Sequence, residues 1–177
     1  WSFVYNENAT TANSAAGISS DESRTGKKSL NMGTTLTYTS AGSVEACYRL
    51  PDNAGAGNYT LTLYIKGDYA KTAIYAGVGA NTSISETLFR FTETTDGEWK
   101  KYEKTIAYKG EEALKIKIVK GADNVYIDDV SMKSGDTELI ENGGFENMSV
   151  NSVSSIVTEP ATQNPSQSGI ASSEAAD

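Results

Sequence analysis

The side chains able to do chemistry in this sequence are almost all oxygen-bearing. It carries 23 Asp and Glu and ten Tyr, against 15 Lys and Arg, one Cys and no His. Without His there is no Ser-His-Asp or Cys-His couple and no His-ligated zinc or haem. The lone Cys47 excludes an internal disulfide and a multi-Cys zinc site. Three chemistries remain: carboxylate catalysis, capture of a hard cation through oxygens, and recognition without catalysis. Glycoside hydrolysis needs two carboxylates flanking a cleft, about 5 Å apart or about 6.5–9.5 Å apart. Pairs such as Glu45 with Asp68, or Glu98 with Glu103, are present, but no spacing sets one of them apart. The sequence therefore reads as a binder and not an enzyme.

Charge and composition narrow the partners. A net charge of −8 argues against a nucleic-acid partner, which needs a basic face. No apolar run approaches the roughly 20 residues that span a bilayer, so no membrane insertion is expected. The chain opens on Trp1 and not on Met, which reads as a piece of something longer. Abundant Thr, Ser, Asn and Gly with a single Cys suit a secreted or surface-displayed bacterial module, hence an extracellular location.

These residues must be positioned by strands. No stretch holds a helical period, whereas two-residue alternation recurs between turn residues. Tyr59 to Lys66 is the clearest case: Tyr59, Leu61, Leu63 and Ile65 share one face, and Thr60, Thr62, Tyr64 and Lys66 the other. The same reading predicts strands over 1–5, 15–19, 28–38, 43–50, 72–78, 87–92, 99–108, 113–119, 125–132 and 138–145. About ten short strands at this spacing mean an all-β fold, an antiparallel jelly-roll β-sandwich or barrel. Residues 1–146 hold these strands; 147–177, rich in Ser, Asn and Gln, read as a polar tail or linker.

Four motifs stand in order: Gly26-Lys27-Lys28-Ser29-Leu30, Asn58-Tyr59-Thr60-Leu61-Thr62-Leu63-Tyr64-Ile65-Lys66-Gly67, Gly97-Glu98-Trp99-Lys100-Lys101-Tyr102, and Val125-Tyr126-Ile127-Asp128-Asp129-Val130-Ser131. Their order resembles the carbohydrate-binding modules of families four, nine and twenty-two, galactose-binding-like jelly rolls appended to secreted glycoside hydrolases. Members usually open with Asn-Gly-x-Phe-Glu. Here Asn142-Gly143-Gly144-Phe145-Glu146 stands near the other end. The displaced strand 138–146 has three readings. It completes its own sandwich, it completes a neighbour's in a head-to-tail array, or it begins a following module.

The resemblance implies a structural Ca²⁺ held by Glu146, Asp128 and a backbone carbonyl near Lys28. By alternation Asp128 shares a face with Tyr126, Val130 and Met132 and points inward, where a carboxylate needs a cation or hydrogen-bond donors. The alternative is that Asp128 accepts backbone N–H bonds or pairs with a Lys. The resemblance also implies a glycan site of exposed aromatics and polar groups. Tyr64, Tyr75, Arg49 and Glu45 fall opposite the apolar faces of their strands, and would line one concave surface if those strands are neighbours. Trp1 and Trp99 read as core. The leading expectation is thus a non-catalytic module binding a polysaccharide or other glycan. The alternative is a fibre or surface-layer repeat that polymerises through residues 138–146.

Overall fold

A computed structural model describes residues 1–5, 17–31, 43–67, 73–79, 86–91, 95–110, 113–119, 125–149 and 151–152. The strands are β1 (Ser2–Tyr5), β2 (Gly17–Ser19), β3 (Ser29–Asn31), β4 (Ser43–Arg49), β5 (Gly57–Lys66), β6 (Ala73–Gly79), β7 (Glu86–Phe91), β8 (Lys100–Tyr108), β9 (Ala113–Val119), β10 (Tyr126–Ser134), β11 (Thr137–Glu138) and β12 (Asn151–Ser152). They form two sheets. One is five-stranded in the order β1-β4-β9-β6-β7; the other runs β12-β2-β3-β10-β5-β8, with β11 paired to β10. Every pairing described is antiparallel. The expected all-β sandwich is what forms.

Alternation explains the core. Along β5, Tyr59, Leu61, Leu63 and Ile65 are buried, while Thr60, Thr62, Tyr64 and Lys66 are half-buried. The inward set packs with Ala46, Leu88 and Phe91 of the facing sheet and with Leu30, Ile127 and Met132 of its own. This shared core places the outward residues of each sheet on opposite sides of the molecule.

The C-terminal motif departs from the strand expected over 138–145. Only Thr137–Glu138 pair as a strand, in a tight hairpin with β10, and residues 139–149 are turns. Two residues explain why no strand runs on. Asn142 and Phe145 both have positive φ, at 56° and 61°, which no strand accommodates. The segment seats on its own sandwich: Phe145 is 0% exposed and its ring lies 5.1 Å from that of Trp1. Within one chain this is the arrangement of the first reading. Residues 153–177, which include most of the expected tail and its Val153, Ile156 and Val157, lie outside the described residues. Trp1 packs half-buried against the core, and Trp99 is half-buried in the turn before β8.

Candidate functional site

Two places gather the chemically capable residues. The first is the outward face of the five-stranded sheet. Register aligns Glu45 of β4 with Lys117 of β9, Lys117 with Tyr75 of β6, and Tyr75 with Arg90 of β7. Directly opposed residues in a sheet share a face. The neighbouring row, Ala46, Ile116, Ala76 and Phe89, belongs to the core side, where Ala46 is fully buried. Arg90 is exposed at the β7 end of the row. For Glu45, Tyr75 and Lys117 the side chains lie outside the described residues, and their placement is that of the backbone. Arg49 is exposed further along β4 and forks onto Asp52, at 2.9 and 3.2 Å. Cys47 falls on the same face by alternation but is only 2% exposed, so that face is covered toward the β1 side.

Tyr64 is not part of this surface. It lies on β5, in the other sheet, aligned with Lys101 on β8 and Asp128 on β10. Its ring is also occupied: the Arg24 guanidinium carbon sits 3.5 Å above the ring centroid. Of the four expected ligand residues, therefore, Glu45, Tyr75 and Arg49 share a sheet and Tyr64 does not. Alternation could not find this, because it assigns a face within a strand and not a sheet to the strand. Lys117 and Arg90, which complete the row, carry no local signal beyond alternation.

The second place is the junction between residues 24–28 and the C-terminal turns. Asp128 is 0% exposed, yet not on the core face. A bulge in β10 is the reason. Ile127 opposes Ile65 and Met132 opposes Leu61, both core pairs, so the register shifts between Asp128 and Ser131. Asp129, with φ 49°, supplies the extra residue. Upstream of it, Asp128 and Tyr126 share the face of Tyr64 and Lys66, and the alternation that grouped Asp128 with Val130 and Met132 breaks here. The 24–25 loop covers Asp128 instead. Oδ2 accepts the backbone N–H of Arg24 at 2.7 Å and of Thr25 at 3.2 Å, and Oδ1 accepts that of Asp129 at 2.7 Å. Burial nevertheless holds the carboxyl at a pKa of about 6, above its ordinary value. Arg24 and Thr25 also bind the Asp129 carboxylate through their side chains.

Glu146 stands at the other end of the same loop. Its Oε1 accepts the N–H groups of Lys27 and Lys28, each at 2.8 Å, and these bonds lower its pKa. Gly26 between the two carboxylates has φ 64°, and a methyl there would overlap Glu146 Oε1. The Lys28 ammonium donates to the carbonyls of Glu146, at 2.8 Å, and Met148, at 2.5 Å. The three residues expected to hold Ca²⁺ are thus brought together, but their donor set does not fit that ion. Ca²⁺ takes six to eight oxygens. Here the loop turns N–H groups toward both carboxylates, and an ammonium already occupies two of the nearby carbonyls. Among the described residues no group of three or more acidic, His or Cys side chains converges.

No protein-family model matches the sequence, and no curated protein does. Solved structures do. The chain is similar in fold to β-sandwich carbohydrate-binding modules. One is a xylan-binding domain of family 22, at 11% identity and a TM-score of 0.48, covering 76% of this chain and 88% of that one. Another is the C-terminal family 22 module of Clostridium thermocellum Xyn10B, also at 11% and 0.48, covering 76% and 87%. A match of another kind is the enzymatically active domain of bacteriophage CBA120 tailspike protein 4, at 11% and 0.45, which covers 73% of this chain but 18% of that one.

Proposed function

We propose that this chain is a non-catalytic glycan-binding module whose ligand lies across the outward face of the five-stranded sheet. The observation that carries the reading is the Glu45–Lys117–Tyr75–Arg90 row, four consecutive cross-strand partners. A sugar ring needs an aromatic platform for its apolar face and fixed donors and acceptors for its hydroxyls. The row supplies one Tyr, one acid and two bases at the spacing of adjacent strands, roughly 5 Å. Strands give such groups a more rigid mount than loops do. The ordered motifs of the sequence support the same class. An extracellular or cell-surface setting follows from that class, since polysaccharides are met there.

Affinity electrophoresis of the purified chain through gels containing xylan, mixed-linkage glucan or galactan tests the proposal. At least one polysaccharide retards the wild type, and Tyr75→Ala and Arg90→Ala each abolish that retardation. The reading fails if none retards the wild type, or if retardation survives both substitutions.

A further inference from the structure

The junction that does not fit a calcium ion is filled by something else. Four acceptor groups face residues 24–28. Two are carboxylates, Asp128 and Glu146, and two are backbone carbonyls, those of Glu146 and Met148. Left without donors, the acceptors of Glu146 and Met148 would oppose the seating of the C-terminal segment. Backbone N–H groups from Arg24, Thr25, Lys27, Lys28 and Asp129 meet the carboxylates. The Lys28 ammonium meets the carbonyls. Lys28 is half-buried, so its charge is neither fully hydrated nor fully screened.

We infer that the Lys28 ammonium is the resident cation of this junction, so that the C-terminal segment closes on the sandwich without a bound metal. The chemistry is direct. A primary ammonium offers three N–H donors of one formal charge, enough for two carbonyls and a water or side chain. It is covalently held on β3's approach, so occupancy does not depend on the ion content of the medium. A divalent ion at the same carbonyls would sit against the ammonium, and like charges at such range repel. Lys28 therefore disfavours a metal at these two carbonyls.

Thermal unfolding of the complete chain, in excess chelator and in excess calcium chloride, tests this. The wild-type midpoint is the same in both, and calorimetric titration with calcium gives no saturable heat. Lys28→Met, which keeps the side-chain length and removes the charge, lowers the midpoint by roughly 4 °C or more. Amide hydrogen exchange locates the effect: protection falls at Phe145 and Met148, whose N–H groups bond within the turn, and is kept in β5 and β8. A wild-type midpoint that falls in chelator or rises with calcium overturns the inference, even if Lys28→Met fails to fold. So does a Lys28→Met chain whose midpoint and exchange match the wild type.

Discussion

At the scale of single residues, two tyrosines with the same local pattern lie in different sheets. Tyr64 and Tyr75 each alternate away from an apolar set. Tyr64 is a structural platform for Arg24, which also binds Asp129 and so ties the 24–25 loop down at two points. Tyr64→Ala is therefore expected to leave polysaccharide retardation unchanged and to lower stability by about 0.5–1 kcal/mol in urea denaturation, the worth of an exposed cation–π contact. Asp128 carries a different expectation. Its folded pKa of about 6 exceeds its ordinary 3.8 because it is buried. Below 3.8 the group is protonated whether the chain is folded or not. As pH rises toward 6, the unfolded chain releases the proton first, and stability is lost. Glu146 works the other way, since its pKa is lowered: its contribution is present above the ordinary carboxylate range and is lost as pH falls through its folded value. The difference between wild type and Asp128→Asn isolates the first effect. Denaturation across that range should show the wild type losing stability relative to the variant as pH rises. A constant difference would mean that Asp128 does not titrate there.

At the scale of elements, the bulge in β10 organises one whole end of the molecule. It turns Asp128 outward beneath the 24–25 loop and leaves the Val130 N–H to bond the Gly143 carbonyl at 3.0 Å. Gly143 passes so close to Val130 that a methyl at its Cβ position would overlap the Val130 carbonyl oxygen. Its φ is not positive, so space and not backbone conformation demands glycine there. The neighbouring Glu138 locks the hairpin, accepting the N–H groups of Met132 and Ile140 and the Ser131 hydroxyl. Gly143→Ala is expected to cost at least as much as a poorly accommodated core substitution, about 1–3 kcal/mol. Gly55→Ala, where nothing lies within reach of the new methyl, should cost far less. Equal effects in parallel denaturation curves would show that the close approach to Val130 is not what constrains residue 143.

Most strands were legible in the sequence to within a few residues, because half-buried antiparallel strands impose a two-residue period; of the strand expected over 28–38, Ser29–Asn31 forms and residues 32–38 lie outside the described residues. The strand expected over Tyr59–Lys66 lies within Gly57–Lys66, and Ala113–Val119 coincides with β9. The bulge and the turn over 139–149 were not legible. Each depends on one or two residues entering the left-handed region, at Asp129, Asn142 and Phe145, none of which is glycine. Asp and Asn enter that region more readily than other residues, but their type does not say which of them will, and Phe145 gives no such sign; the contacts they make offset the strain.

At the scale of the whole molecule, the two sheets share a core that Phe145 completes. Its ring packs on Trp1, which in turn packs on Tyr48, whose hydroxyl accepts the Glu141 N–H at 2.9 Å. Trp1 and the C-terminal turns are thereby joined through one aromatic cluster. Removing residues 138–146 should abolish cooperative unfolding and not merely stop an assembly. Phe145→Ala alone should cost about 3–5 kcal/mol. Light scattering coupled to size exclusion is expected to give one molecular weight at all concentrations. A weight that climbs with concentration, and is restored to the monomer by the same deletion, would instead mean that the segment exchanges between chains.

By itself the sequence determined the chemistry on offer and the class of fold. The absence of His and the single Cys limit any site to oxygens, amines and aromatic rings. The alternation of β5, β9 and their neighbours commits the chain to half-buried antiparallel strands, because polar and apolar residues must part on either side of a sheet. Tertiary structure decided which residues meet. Sheet membership separates Tyr64 from Tyr75, and register aligns Tyr75 with Lys117 and Arg90. A one-residue bulge moves Asp128 from the expected inner face to the cover of a loop, and Lys28 reaches carbonyls 118 and 120 positions away. These outcomes depend on contacts between residues far apart in the chain, whereas a two-residue period reports only which side of its own strand a residue lies on.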